Sequence, residues 1–284
     1  MGNAVAGTAV GPMVIAAVDQ FDEHPLVRDD YAARILPAAG RLAVAAARWR
    51  PMRTLLIAAT EKKIPGLWAG MLCRKRYIDE RLGASGAGTV VVLGAGFDTR
   101  GCRAGERRVF EVDLPANVAS KRERLRAVLG EVPAGVTLVP IDFERQRIAD
   151  VLAEHGYRTD QPVFFVWEAV TQYLTEAAVR ETFDFLARAP AGSELVFTFV
   201  RKDFLDGTAM FGGEAAHREF VVKRRLWKFG LLPGEVAGFL TPYGWAEVEQ
   251  LGPREFTERF LESSGRTMPV SEIERTVYCV KTTT

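Results

Sequence analysis

Cysteine and histidine are scarce in this chain, three of each in 284 residues. Cys73, Cys102 and Cys279 lie far apart, with no CxxC pair and no neighbouring histidine. That argues against a thiolate zinc site or a disulfide framework and fits reduced thiols in a cytoplasm. Charge excess is lacking as well. Lys and Arg number 37 against 36 Asp and Glu, a net charge of +1, so neither nucleic acid nor a membrane surface is indicated as the main partner. No long apolar run stays unbroken: the stretch 42–59 contains Arg48, Arg50, Pro51 and Arg53, which argues against a membrane span. The first residues have no basic segment, and Asp19, Asp22 and Glu23 close their apolar run, a poor match to a secretion signal. Internal repeats and low-complexity linkers are missing too, so a single domain over 1–284 is expected.

What is present changes texture along the chain. Residues 13–80 have helical spacing, interrupted at Pro25, Pro37, Pro51 and Pro65, and predict a cap of short helices over 1–80. From residue 88 short apolar runs appear at 89–93, 109–112, 136–141, 163–167 and 195–200. Helical patterns such as 115–129 and 176–189 separate them. Buried strands alternating with helices predict an α/β fold, a doubly wound, Rossmann-like parallel sheet with its core in 88–200. Residues 201–232 are rich in Phe, Arg and Gly with no clear strand, as an insertion or lid would be. A helix over 254–263 and two late strands, 246–251 and 276–281, are expected from the remaining part, 233–284.

The first strand runs into two glycines and then two opposite charges: VVVLGAGFDTR, residues 90–100. In open α/β sheets ligands bind beyond the carboxyl ends of the strands. Gly94 and Gly96 let the backbone turn sharply and approach a ligand with no Cβ between them. A dinucleotide fingerprint needs a third glycine, where this chain has Thr99, and Asp98 would sit beside the pyrophosphate. An S-adenosyl nucleoside, cationic at sulfur, suits that acid better.

The next strand ends carry matching residues. RRVFEVDLP closes on Asp113, nineteen residues after Gly94, where a carboxylate can accept both ribose hydroxyls. The competing reading is that Asp113 caps the following helix, which begins near Pro115. Glu111 would point the same way from the strand but lies further from its tip. VTLVPIDFER places Asp142 to accept from an adenine amine and Phe143 to offer its N–H and an apolar wall. VFFVWEAVTQYL ends a wholly apolar strand with Glu168, a costly position unless the charge faces a cationic group of the ligand.

LGAGFDTR, FEVDLP followed by Lys121, PIDFE and WEAVTQYL, preceded by LCRKRYIDERL, together resemble the leucine carboxyl methyltransferase-like family of S-adenosylmethionine-dependent O-methyltransferases. The likeness covers roughly residues 15–200. It implies a class I methyltransferase sheet with a late antiparallel strand, and S-adenosyl-L-methionine as the cofactor. It further implies that Arg74, with Arg76 as rival, holds the methionine carboxylate. Gly94 and Gly96 would shape the loop, Asp113 would bind ribose, and Asp142 with Phe143 would bind adenine. Glu168 would lie near the methionine amine. Ala169 departs from the glycine that the family often has there. Of the family's acceptors, a small-molecule metabolite such as a bacterial polyketide carboxylate fits this short chain best.

A carboxylate acceptor is ionised at neutral pH and needs no base, whereas a hydroxyl would be helped by one. His155 follows a helix. His24 and His217 fall in segments expected to cover the pocket and are the possible bases, each more often structural. Phe204, Phe211, Phe220, Trp227 and Phe229 suggest an apolar or aromatic acceptor. Arg218, Lys223, Arg224 and Arg225 either attract an anionic one or form a solvated basic face. Two other readings stay open from the residues: an NAD-dependent oxidoreductase, and an S-adenosyl-binding protein without turnover.

Overall fold

The computed structural model describes residues 10–158 and 160–282; residues 1–9 of the expected cap, residue 159 and residues 283–284 lie outside it. Among the described residues eight strands form one sheet. They are β1 (Thr89–Leu93), β2 (Arg108–Asp113), β3 (Val136–Pro140), β4 (Val163–Trp167), β5 (Glu194–Arg201), β6 (Gly230–Leu231), β7 (Trp245–Leu251) and β8 (Glu274–Lys281). Their order is β3-β2-β1-β4-β5-β8-β7, with β6 continuing beside the end of β5. The first five run parallel, and β8 is antiparallel to both β5 and β7. The expected α/β class, the five core strands and the late antiparallel pair are therefore all present.

The strand sequences explain the burial. β1 is flanked by β2 on one side and β4 on the other. Its Val90 and Val92 enter one apolar layer with Leu72, Tyr77 and Ile78, while Val91 and Leu93 enter the opposite layer with Val179, Phe183 and Leu186. Both faces are covered, so the strand reads as an unbroken aliphatic run.

The prolines punctuate the N-terminal helices as expected. These are α1 (Val10–Asp19), α2 (Ala32–Ile35), α3 (Ala38–Ala46), α4 (Arg50–Glu61) and α5 (Leu67–Ala84). Pro37 immediately precedes α3, Pro51 stands in the first turn of α4, and Pro65 lies just before α5. A missing N–H costs nothing in a first turn, where it would have no intrahelical partner. Beyond β1 come α6 (Arg100–Arg103), α7 (Pro115–Leu129), α8 (Ile148–Glu154) and α9 (Glu176–Leu186). Thr175 caps α9 by accepting the Ala178 N–H (3.3 Å).

Two expectations need correction in detail. The segment 201–232 is not wholly irregular: it holds short helices at Lys202–Leu205 and Glu214–Ala216, a π-helical turn at His217–Lys223, and β6. The expected helix 254–263 is α-helical at Pro253–Phe256 and widens to a π-helical turn at Thr257–Leu261. Phe256, Phe260 and Leu261 all reach the same apolar layer, which a regular helix of that short length would present less completely. Because β1 lies between β2 and β4, its carboxyl end marks the switch in strand order, where a crevice opens.

Candidate active site

The Gly94–Asp98 loop leaves β1 at that switch. Gly94 has φ +72° and Gly96 φ +45°, conformations that disfavour a side chain. A Cβ on Gly94 would overlap Val170 Cγ2 and stand 3.1 Å from its Cγ1. The Gly94 and Ala95 N–H groups both donate to the Val112 carbonyl (2.7 and 3.0 Å), which folds the loop across the tip of β2. Val170 is itself positioned by Ala169, at φ +57°, whose N–H donates to Thr198 Oγ1 (2.8 Å). The departure from glycine at Ala169 therefore carries a backbone strain of about 1–2 kcal/mol.

Asp113, at the end of β2, accepts the Gly96 N–H on Oδ2 (2.5 Å). Its Oδ1 accepts the Leu114 N–H (2.6 Å) and Asn117 Nδ2–H (2.7 Å). The carboxylate joins the loop to the start of α7 and borders the crevice. The cap position of α7 is Leu114, which makes no side-chain cap bond, so the helix-capping alternative does not describe Asp113. Glu111 points the same way one step back, and it is used inside the protein. Its Oε2 lies 2.7 Å from Lys121 Nζ, with both side chains 2% exposed. Burial pushes the Glu111 carboxyl up and Lys121 pulls it back, with the net direction upward.

Below the loop is a buried charge cluster around Glu168. Arg74 Nε donates to Glu168 Oε1 (2.9 Å) and Arg100 Nη1 to Glu168 Oε2 (2.7 Å), with Lys75 Nζ 3.8 Å from Oε1. Arg100 also pairs with Asp79 and Asp98, and Arg74 with Glu274. Burial alone would raise the Glu168 carboxyl, but Lys75, Arg100 and Arg74 outweigh it and hold it well below the usual carboxylate range. Asp98 is held down in the same way, against burial, by Arg100 and Lys75. Burial opposes the charge on Arg100, yet Asp98, Asp79 and Glu168 push its guanidinium well above its ordinary value. Glu168, Asp98, Arg74 and Arg100 are thus held in their charged forms, a fixed field facing the crevice.

Arg74 Nη2 has no partner among the described residues, and Arg74 lines the crevice. Arg76, the rival, points away: it is bonded to Glu80 (3.0 Å) and lies over the Phe260 ring. The crevice itself is a cavity of about 960 Å³. One end is bordered by Arg74, the Gly94–Asp98 loop, Asp113, Asp142, Phe143 and Glu168, so the structure brings together every cofactor residue expected from the sequence. The same cavity is also walled by Ile64, Leu67, Met71, Phe220, Trp227 and Ile273.

The two histidines named as possible bases lie elsewhere. His24 is exposed, and its carbonyl accepts from Arg266 (2.9 Å). His217 packs edge-on against Phe204, with Nε2 3.2 Å from the Leu205 carbonyl. No histidine or cysteine lines the cavity among the described residues. Sequence reading did not single out Lys75, Arg100 or Glu274. A charged pair closing a glycine loop was the available signal for Arg100; for Glu274, 200 residues from Arg74, there was none.

A parallel sheet with this strand order, an antiparallel strand inserted beside β5, and a glycine loop over an acid at the end of β2 define the class I methyltransferase architecture. The model for the leucine carboxyl methyltransferase family matches residues 9–187, more than half of the chain. The chain belongs to that family and is an S-adenosylmethionine-dependent methyltransferase. A Frankia alni protein assigned by name to the S-adenosyl-L-methionine-dependent methyltransferases is 28% identical over 254 residues, covering 86% of this chain and 83% of that protein. A Mycobacterium avium protein of the same description is 34% identical over 160 residues, 53% of this chain and 51% of that one. A solved Thermobifida fusca structure described as a methyltransferase superposes with TM-score 0.58 at 17% identity, covering 88% of this chain and 94% of that one. A Streptomyces avermitilis DUF574 family structure gives TM-score 0.58 at 14% identity, covering 94% and 96%. These two likenesses concern the fold. Family membership decides between the S-adenosyl and dinucleotide readings in favour of the former.

Proposed function

We propose that this enzyme methylates a carboxylate of a small, largely apolar metabolite, such as a polyketide, to give a methyl ester. The observation that supports this most is the chemistry of the acceptor end of the cavity. Its walls are apolar and aromatic, and Lys63 and Arg225 border it without a carboxylate partner among the described residues. Such a chamber attracts an anionic acceptor with an apolar body.

The residues at the other end fit the cofactor by charge and shape. Arg74 Nη2 would take the methionine carboxylate and Glu168 would face the ammonium. Asp113 would accept hydrogen bonds from the ribose hydroxyls, while Asp142 and the Phe143 N–H would border adenine. The positive-φ turn at Gly94 lets its backbone lie directly against Val170, which borders the same cavity. When bound, S-adenosylmethionine supplies a methyl group made electrophilic by its sulfonium.

The protein's task is then to orient the acceptor and exclude water. A carboxylate with an ordinary value near 4 is already ionised at neutral pH, so no side chain has to remove a proton. That agrees with a cavity bordered by no described histidine. The N-terminal helices and the segment 201–232 act as the cover, and the three free cysteines suit a reducing cytoplasm. The test is to incubate the enzyme with S-adenosylmethionine and a panel of apolar carboxylic acids and matching alcohols. Methyl groups released as methanol by mild alkali mark esters. Alkali-stable products formed from the alcohols alone would refute the carboxylate reading.

A further inference from the structure

The whole-chain balance that points away from a membrane surface averages over an uneven distribution. Residues 37–63, which hold α3 and α4, carry Arg41, Arg48, Arg50, Arg53, Lys62 and Lys63 against Glu61 alone, +5 in a chain whose total is +1. Glu61 is engaged with backbone, accepting the Gly66 and Trp68 N–H groups (2.6 and 3.1 Å). Arg41 and Arg53 donate to the Leu36 and Phe21 carbonyls (3.3 and 2.9 Å), which orients them without cancelling their charge. Of the six cations only Arg50 has a carboxylate partner among the described residues, Glu23 at 4.0 Å, and those two side chains are 81% and 85% exposed.

The same helices turn apolar side chains outward. Six large apolar residues are exposed among the described residues, and four of them, Leu42 (71%), Trp49 (66%), Met52 (37%) and Leu55 (61%), fall within residues 42–55. α4 has no buried residue. Its half-buried side consists of Arg53, Leu56, Ile57 and Thr60, and Leu56 and Ile57 pack on the apolar layer that includes Leu72 and Tyr77 of α5. At about 100° per residue the opposite side presents Met52, Leu55, Ala58, Ala59 and Lys62, all exposed. α3 follows the same plan: Gly40 and Val44 face inward, while Ala38, Leu42, Ala45 and Ala46 face outward. Trp49 stands between the two helices. A surface helix normally shows its polar side to water, so two successive helices with apolar outer sides mark a contact surface.

Charge sets the occupant. A second copy seated on the same face would bring +5 against +5. Nucleic acid would meet Leu42, Trp49 and Leu55 where its phosphates should lie. Anionic lipid satisfies both features: acyl chains take the tryptophan and leucines, and headgroup phosphates take the flanking arginines and lysines. We propose that α3 and α4 form a peripheral membrane-binding surface that seats the enzyme on an anionic lipid bilayer. Lys63, Ile64 and Leu67, which directly follow α4, border the cavity, so docking brings that part of its rim towards the bilayer. An apolar acid dissolved in the membrane would then enter from that side, and the docking itself does not depend on what the acceptor is.

The test is vesicle co-sedimentation of the full chain loaded with S-adenosylhomocysteine, using phosphatidylcholine alone or with about 30% phosphatidylglycerol. Wild type binds the anionic vesicles at least about tenfold more tightly than the neutral ones, and raising NaCl from about 0.1 M to about 0.5 M removes most of that preference. Arg50→Gln/Lys62→Gln lowers the affinity about tenfold or more, since each basic residue near an anionic surface contributes about fivefold. Trp49→Ser/Leu55→Ser lowers it by a similar factor through the lost apolar contact. All four positions are exposed, so both double variants keep the wild-type Tm within about 2 °C and the S-adenosylhomocysteine affinity within about twofold. Equal binding to both kinds of vesicle, or undiminished binding by either double variant, overturns the proposal. So does an absence of vesicle binding. In that case a dimer dissolved by Trp49→Ser/Leu55→Ser would identify a second copy as the occupant, and retention of wild type on DNA would identify nucleic acid.

Discussion

Replacing Gly94 by alanine tests the central geometric claim, that the first loop glycine exists to bring backbone against Val170. Two costs are separable in the structure. The first is conformational: at φ +72° an alanine is strained by about 1–2 kcal/mol. The second is steric. The new methyl would overlap Val170 Cγ2 and press on its Cγ1 and Cβ, 3.1 and 3.2 Å away. Overpacking of this kind costs about 1–3 kcal/mol. Gly94→Ala should therefore lose roughly 2–5 kcal/mol of stability, summed from those two sources. Val170→Ala removes both Cγ atoms, the overlapping one included, and leaves only the Cβ contact at 3.2 Å. In the double variant Gly94→Ala/Val170→Ala the steric part should return as a favourable coupling of about 1–3 kcal/mol, leaving the conformational cost in place. Urea denaturation of the four proteins measures the cycle, and calorimetric titration with S-adenosylmethionine shows whether the loop still admits the cofactor. Additive losses, with no coupling, would refute the close contact. A Gly94→Ala protein as stable as wild type would refute both parts.

Other outcomes follow from the site. Asp113→Ala should weaken S-adenosylmethionine binding by about 2–4 kcal/mol, since the carboxylate loses the ribose hydroxyls and its hold on the Gly96 N–H; unchanged affinity in a folded variant, by calorimetry, would remove that role. Arg74→Lys should reduce cofactor affinity at least about tenfold, because an ammonium cannot serve Glu168, Glu274 and a ligand carboxylate in the fixed geometry of a guanidinium. Arg76→Lys, bonded to Glu80 outside the crevice, should change affinity less than about twofold; the reverse order in titration would exchange the two assignments. Glu168 has a depressed folded value, so its contribution to stability is fully present above the ordinary glutamate value of about 4.3 and is lost as pH falls through the depressed one. The Tm advantage of wild type over Glu168→Gln should therefore narrow from pH 6 to pH 3, and a constant advantage would mean that Glu168 is not held ionised. Hydrogen exchange in residues 201–232 should slow on binding S-adenosylhomocysteine more than in α9, while equal protection in both regions would mean that this segment is scaffold and not cover.

The cofactor end was legible because strand tips in a doubly wound sheet occupy fixed relative positions. Once 89–93, 109–112, 136–141 and 163–167 read as parallel strands, Gly94, Asp113, Asp142 and Glu168 had to converge. The choice between Arg74 and Arg76 was not legible. Two residues apart on a helix they point to different sides, but α5 buries residues around much of its circumference, Arg74 and Lys75 among them. Its pattern therefore has no clear phase. Arg100 was hidden for another reason. A buried arginine looks like a surface one until its partners are known, and Asp79 and Glu168 lie 21 and 68 residues away. Asp113 borders the cavity and Glu111 does not, and the buried pairing of Glu111 with Lys121 follows from the packing of α7 on β2, which strand alternation does not encode.

The rest of the cavity was illegible because no single periodic element builds it. Its lining comes from residues 11–13 of α1, from 63–71, from 220–228 and from 256–276. The expected basic face of Arg218, Lys223, Arg224 and Arg225 assumed regular helical spacing. A π-helical turn at His217–Lys223 changes that spacing, and Arg225 reaches the cavity from a left-handed φ of +49°. A side chain placed by an irregular backbone cannot be assigned to a face by counting. The same fact divides the enzyme's labour. The sheet tips that line the cavity sit between two apolar layers, so changes there disturb the fold. The segment 201–232 contributes Phe220, Arg225 and Trp227 to the cavity, and it is tied to the sheet by β6 beside β5 and by the Lys228 N–H bond to the Gln172 carbonyl. In the function proposed above, acceptor choice resides in that segment and can vary without altering Arg74, Gly94, Asp113 or Glu168.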